Sequence, residues 1–286
     1  MKFGIREVTD IVFKAKSNIS IGTKSFTKGE PVLYFDSAKT SSMEGSSTQV
    51  FAQGGKGNPK RITWSGEKGL TFTFEDALIT PTSAAILMGA EITANSASVP
   101  VREHVYGYVT CAEAGKLDLT GLLSDAEFAA PDATDMTGAT IDADNLYVYE
   151  VDDDDEVDGA NITGTVAAQV FTATTAGNVV ANSRYLVDCY AAILTTVGKA
   201  QSILITPDKF SDYFYVEANT FWRRESDGKD IPAQITIPKA SVQSNFTLTM
   251  ANSGDPSTFT FTMDAMPDYT LFDKTKKVLS AIDILA

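Results

Sequence analysis

His104 is the chain's one histidine, set in Arg102-Glu103-His104-Val105. An imidazole can serve as general base or metal ligand, but no nucleophile-elbow serine or second imidazole accompanies it. A single histidine argues against catalytic triads and zinc centres, and His104 reads as a surface or junction residue. The run Asp152-Asp153-Asp154-Asp155-Glu156-Val157-Asp158-Gly159 could offer carboxylate oxygens to a hard cation. Aligning Gly159 with the glycine of an EF-hand loop places Asp154, Glu156 and Asp158 at its first, third and fifth positions, but Thr165 stands where a bidentate Glu is required. With strand patterns on both sides, the run reads as a solvated acidic hairpin tip closed near Asp158-Gly159, those three carboxylates being its weak cation candidates. No other carboxylate pair is picked out by its spacing, so a glycosidase reading has no positive support. Gln53-Gly54-Gly55-Lys56-Gly57-Asn58-Pro59-Lys60-Arg61 is glycine-rich and basic. It lacks the Gly-Lys-Ser/Thr ending of a phosphate loop and the third glycine of a dinucleotide fingerprint, so it reads as a partner-contacting loop. Cys111 and Cys189 fit no disulfide framework or metal set and are expected as buried free thiols, the alternative being a bridge between them. No cofactor is expected.

The 286 residues, 43% of them hydrophobic, suffice for one or two domains with real cores. The net charge of −14 leaves no basic excess to neutralise phosphates, which disfavours sequence-specific nucleic-acid binding and anionic membranes. The acids are unevenly spread: between Val105 and Tyr190 there are 16 acids and two bases, and elsewhere 21 of each. This break predicts a discontinuous neutral host, residues 1–104 and 190–286, carrying an acidic inserted domain, residues 105–189. The N-terminus has no apolar signal segment, and the longest uncharged apolar-leaning run, residues 77–90, is too short to span a bilayer. A protein made in the cytoplasm is expected, with no membrane partner.

The host alternates apolar residues and threonine with period two, which predicts half-buried antiparallel strands. Leu70, Phe72 and Phe74 share one face. Phe246, Leu248 and Met250 form a second such run, and Phe259, Phe261 and Met263 a third. The turn-rich residues 252–257 between the last two predict that they pair as a hairpin. Residues 203–205, 235–237 and 278–285 are further strand candidates, the last ambiguous with a helix. One helix is signalled by Thr80 as N-cap, Pro81 at the first position, the run Ala84 to Met88, and Gly89 as the stop. Residues 37–50, rich in serine and glycine, predict a loop or a partly formed helix. Residues 146–151, 165–172 and 185–193 are expected strands. The fold class is therefore mainly β: an antiparallel sandwich or barrel with a short flanking helix, plus a β-rich acidic insert.

Two long stretches are more specific. One is Tyr34-Phe35-Asp36-Ser37-Ala38-Lys39-Thr40-Ser41-Ser42-Met43-Glu44, continuing through Val50-Phe51-Ala52-Gln53-Gly54-Gly55-Lys56-Gly57-Asn58 and Ile62-Thr63-Trp64-Ser65-Gly66-Glu67-Lys68 to Leu70-Thr71-Phe72-Thr73-Phe74-Glu75-Asp76-Ala77-Leu78. The other runs from Phe221-Trp222-Arg223-Arg224 through Gln234-Ile235-Thr236-Ile237-Pro238-Lys239-Ala240 and Ser244-Asn245-Phe246 to Gly254-Asp255-Pro256-Ser257-Thr258-Phe259-Thr260-Phe261 and Met263-Asp264-Ala265. Together they resemble the tail tube proteins of long-tailed bacteriophages, and among these the contractile-tailed ones. The resemblance covers about half the chain, all of it in the neutral host.

That resemblance implies a structural virion protein, not an enzyme, whose homohexameric rings stack into a hollow tube for genome delivery. Its implied partners are itself, tail sheath, baseplate and tape-measure proteins, with non-specific passage of DNA. Residues 37–58 would be a long loop reaching the adjacent subunit, and the implied subunit interface is Asp36, Lys39, Met43, Glu44, Phe51, Gly54, Gly55, Gly57, Asn58 and Arg61. The alternative reading is a cation-binding adhesion or decoration module of another virion surface or the baseplate.

Overall fold

The computed structural model describes residues 2–5, 10–123, 139–152, 154, 156–194, 199–249 and 258–285. The chain packs as two compact units, unit 1 being Met1–Ile92 with Ile203–Ala286 and unit 2 being Thr93–Ser202. Unit 2 holds 17 acids and four bases. The charge break at residue 104/105 falls inside a strand, as does the one at 189/190.

In chain order the strands are β1 (Phe3–Ile5), β2 (Asp10–Ala15), β3 (Ile19–Ile21), β4 (Lys24–Phe26), β5 (Pro31–Phe35), β6 (Ala38–Gln53) and β7 (Lys60–Asp76), followed by helix α1 (Pro81–Met88). Next come β8 (Glu91–Ala94), β9 (Val101–Thr110), β10 (Lys116–Asp118), helix α2 (Thr120–Leu123), β11 (Thr140–Ile141), β12 (Tyr147–Val151), β13 (Val157–Asp158), β14 (Gly164–Ala167), β15 (Val170–Ala173) and β16 (Arg184–Ile193). The last are β17 (Gln201–Leu204), β18 (Tyr213–Arg224), β19 (Asp230–Val242), β20 (Phe259–Ala265) and β21 (Ala281–Ile284). The fold is mainly β, as the periodicity predicted.

Unit 1 is built on a nine-stranded sheet with the path β5-β2-β18-β19-β20-β7-β6, β1 pairing with β18 and β21 with β19. The path ends on β5 and β6, so among the described residues the sheet does not close as a barrel, one of the two forms expected. Alternation decides its two faces. Ile11, Phe13, Phe72, Phe74, Phe214, Val216, Phe261 and Met263 are buried on one. Their neighbours carry polar groups, including Thr73 Oγ1 3.4 Å from Thr262 Oγ1 and Lys14 paired with Glu217. Helix α1 lays Ile86 and Leu87 into this core. Thr80 and Ser83 form a reciprocal capping box at its start, and Gly89 ends it at φ 61°, left-handed backbone that glycine adopts without penalty.

Two expectations about unit 1 are corrected. Residues 38–53 form strand β6 and not a loop or helix, because β7 pairs with them almost throughout and satisfies their backbone groups. Residues 243–249 are not a strand despite their alternation. Strand β19 pairs with β20 only through residues 240–242 and 263–265, the Gln243 amide adds one bond to the Thr262 carbonyl, and the ladder ends there, before Phe246 and Leu248. The turn proposed at 252–257 and Met250 lie outside the described residues. The stretch 278–285 resolves as strand β21, paired with β19.

Unit 2 contains a sheet of path β11-β16-β12-β13, with β9 pairing with β16, and a three-stranded sheet β10-β15-β14. Their buried faces share a core of Val105, Leu117, Leu119, Val148, Phe171, Tyr185, Val187 and Cys189. The hydroxyl of fully buried Tyr185 accepts a 2.7 Å hydrogen bond from the Val180 amide, so its polar end is not stranded. The single strand expected over 165–172 is instead the hairpin β14-β15. Its two-residue turn, Ala168 and Gln169, has φ of 47° and 65°, a primed turn without glycine to announce it.

Both cysteines are buried free thiols and do not bridge. The Cys111 thiol donates to the carbonyls of Glu113 and Lys116 at 3.1 and 3.4 Å. Burial, reinforced by the Asp188 charge, pushes the Cys189 thiol up to about 11. Because the fold raises this value, Cys189 contributes stability that is intact below about pH 9 and is lost as pH rises towards 11. At pH 8 a thiol-reactive chromophore is expected to leave Cys189 unmodified until denaturant is added, and Cys189→Ala should flatten the loss of stability between pH 9 and 11. Rapid labelling of folded protein at pH 8 would contradict this assignment.

Candidate functional site

The long hairpin β6-β7 is the most unusual feature of unit 1. Its proximal part, where Met43 faces Phe72 and Ser41 faces Phe74 across the ladder, belongs to the nine-stranded sheet. At the base, Asp76 is 3% exposed and accepts hydrogen bonds from the Ser37 hydroxyl and from the Ala77 amide at 3.0 Å, which ties the entry and exit of the hairpin together. Beyond Gly45 the two strands continue with no third strand beside them among the described residues, and no residue from 46 to 68 is buried. At about 3.4 Å per residue this arm extends roughly 25 Å.

Register sorts the arm's side chains. Val50 is opposite Trp64 and Ala52 opposite Ile62, so these four share one face. Val50, Trp64 and Ile62 are 63%, 54% and 53% exposed. Phe51 and Thr63 lie on the other face, where the Lys60 ammonium sits 3.6 Å from the centre of the Phe51 ring. The tip is the glycine-rich segment. Gly55 and Gly57 have φ of 93° and 86°, the Asn58 amide donates to the Gly55 carbonyl at 2.9 Å, and Arg61 Nε donates to the Gly54 carbonyl at 2.8 Å. Backbone at φ 93° is strained for any residue with a side chain, so glycine suits this tight turn at position 55.

The residues implied as an interface therefore fall into three places. Phe51, Gly54, Gly55, Gly57, Asn58 and Arg61 come together at the arm's distal end. Lys39, Met43 and Glu44 lie along the proximal part of β6, and Asp36 sits in the bend before it. Val50, Ile62 and Trp64 are absent from that set, although their period-two spacing on both sides of a glycine turn is the signal that could have found them.

The acidic tip of unit 2 closes differently from the expectation. Val151 pairs with Val157 and Glu150 with Asp158, so Asp158 lies in strand β13 and the hairpin closes ahead of it, not at Asp158-Gly159. The Asp152 carboxylate accepts from the amides of Asp154 and Glu156 at 2.9 Å each. Asp153 and Asp155 lie outside the described residues. Among the described residues no three carboxylate, imidazole or thiolate side chains gather as a metal-binding group. His104 is exposed in β9, with Nε2 3.1 Å from Asp188 Oδ2. One concavity of about 220 Å³ in unit 1 is lined by Lys14, Lys16, Lys28, Tyr215, Asp268 and Lys274. The hydrogen bond from Lys16 holds the Asp268 carboxyl below its ordinary value. Among the described residues no helix is long and apolar enough to cross a membrane.

No curated protein matches the chain. The sequence model of the YomU/Tube protein family matches residues 3–278, nearly the whole length and both units. An antiparallel sheet with two open edges and a protruding, solvent-exposed arm agrees with the resemblance drawn from residues 34–78 and 221–265, and the chain belongs to the YomU/Tube family of phage tail tube structural proteins.

Proposed function

We propose that the chain self-assembles into hexameric rings that stack as a hollow phage tail tube, a conduit for genome delivery. The observation that carries this reading is the arm, residues 46–68. A two-stranded hairpin standing alone in water is marginally stable, and this one displays Val50, Ile62 and Trp64 on one face. Docking that face on an adjacent subunit would remove the exposed apolar surface and order the hairpin at the same time. The open edges at β5 and β6 support the same reading, since unpaired strand edges are a liability unless a neighbour completes them. Contacts of this head-to-tail kind either close into a ring or propagate, and a stacked tube does both.

Within the ring, the interface comprises the arm and the β6 edge, from Asp36 and Lys39 to Arg61. Unit 2 is an acidic decoration on the tube's outside, because a module of its size repeated around every ring would crowd a channel. Sheath, baseplate and tape-measure proteins of a contractile tail are the partners this role implies, and DNA passes without sequence-specific contact. Negative-stain electron microscopy of the purified protein, with the mass followed by light scattering as concentration rises, tests the reading. Rings and hollow stacks of growing mass are expected. A species of fixed mass that never stacks would overturn it.

A further inference from the structure

The outward face of the larger sheet in unit 2 is built of tyrosines. Strands β9, β16 and β12 lie side by side, and alternate residues point away from the core that buries Val105, Val148, Val187 and Cys189. Pairing aligns two rows across them: Tyr106, Asp188 and Tyr147 in one, Tyr108, Leu186 and Tyr149 in the next. Tyr106, Tyr108 and Tyr147 are 53%, 47% and 44% exposed. With strands about 4.8 Å apart, the tyrosines of β9 and β12 face each other across about 10 Å, with Asp188 and Leu186 between them. The face is thus a trough one strand wide, walled by aromatic rings and floored by one carboxylate and one aliphatic side chain. At one end His104 stacks between Tyr106 and Tyr190, with ring centroids 5.4 and 5.1 Å away. At the other the Arg184 guanidinium lies 4.3 Å from the centre of the Tyr108 ring.

Charge narrows what the trough can hold. Its charged groups are engaged locally: Arg102 with Asp142 at 3.2 Å, His104 with Asp188 at 3.1 Å, and Arg184 on Tyr108. The face itself is close to neutral, while the unit around it has 17 acids against four bases. An anionic polymer would be repelled by that surplus, as would unit 2 of a second copy, which carries the same 17 acids and four bases. A neutral chain that presents apolar C–H faces and hydroxyl edges meets no such penalty. Tyrosine offers an apolar ring and a hydroxyl that donates and accepts, and the Asp188 carboxylate has further lone pairs for ligand hydroxyls.

We propose that this trough binds a neutral polysaccharide, with sugar rings stacked on Tyr106, Tyr108, Tyr147 and Tyr149 and hydroxyls bonded to Asp188. The site lies wholly within unit 2, so it holds whether or not the chain forms tubes. The test is biolayer interferometry of the full chain against immobilised neutral polysaccharides based on glucose, mannose, galactose and N-acetylglucosamine, with polygalacturonate as an anionic control. Binding to at least one neutral polymer is expected, weakened at least about fivefold by Tyr106→Ala, by Tyr147→Ala and by Asp188→Asn. Tyr106→Phe keeps the ring and should retain binding, which separates lost stacking from lost folding. Phe272→Ala, in unit 1 at a residue 94% exposed, should change nothing. Failure to bind any neutral polymer overturns the proposal, as does binding to polygalacturonate alone or equal binding by all variants. Concentration-dependent self-association that the tyrosine variants abolish, without glycan binding, would overturn it in favour of contact between copies.

Discussion

The double substitution Ile62→Ser/Trp64→Ser is expected to abolish tube formation at concentrations where the unmodified chain assembles. Both side chains are more than half exposed in the subunit, so the subunit itself loses little. Exposed substitutions of this kind change stability by about 0.5 kcal/mol or less. If the arm docks on an adjacent subunit as proposed, the same residues become desolvated anchors in the assembly, each contributing about 2 kcal/mol. Losing two raises the critical concentration by several hundredfold to about a thousandfold. Sedimentation and electron microscopy measure the assembly, and circular dichroism confirms the subunit's fold. Substituting Thr63, on the opposite face of the arm, provides the control. Tubes forming at ordinary concentration from the double variant would place the subunit contact elsewhere. Point substitutions test this better than deleting residues 54–58, because that segment is the turn that sets the register of β6 on β7.

Phe13→Ala should produce the largest loss of subunit stability. Phe13 is fully buried, and its ring lies 5.3 Å from Phe35, 5.4 Å from Phe214, 6.0 Å from Phe74 and 6.5 Å from Phe261. These rings come from β2, β5, β7, β18 and β20, so one side chain joins five strands of the sheet. Truncation removes the burial of the ring and leaves a cavity walled by rings from four other strands, at a cost of about 3–5 kcal/mol. For a unit of this size the melting temperature should fall by roughly 10 °C. Phe13→Leu, which keeps most of the volume, should cost well under half as much. A fall of less than about 3 °C for the alanine variant would mean that these rings are not the centre of the core.

Helix α1 was legible from sequence to the residue. A helix makes its hydrogen bonds within itself, so its start and stop signals are local: Thr80, Pro81, Ser83 and Gly89 all do in the structure what their types suggest. The strands around Phe72, Phe74, Phe261 and Met263 were also readable, because one face is buried and alternation marks it. So were the mainly β class, the concentration of acids in one stretch of chain, and the tube-family resemblance of residues 34–78 and 221–265.

What the tertiary structure alone decided is where a strand finds a partner. Residues 38–53 have the composition of a loop and are a strand because β7 lies beside them, while residues 246–249 have the pattern of a strand and are not one because the β19-β20 ladder ends before them. Alternation shows which side chains could share a face, but pairing and register depend on chain segments far away in sequence. The arm's apolar face is assembled that way from Val50, Ala52, Ile62 and Trp64, and the trough from β9 and β12, whose tyrosines lie up to 43 residues apart, with β16 between them. No single segment carries either surface, since a sheet's hydrogen bonds and its side-chain rows exist only between strands.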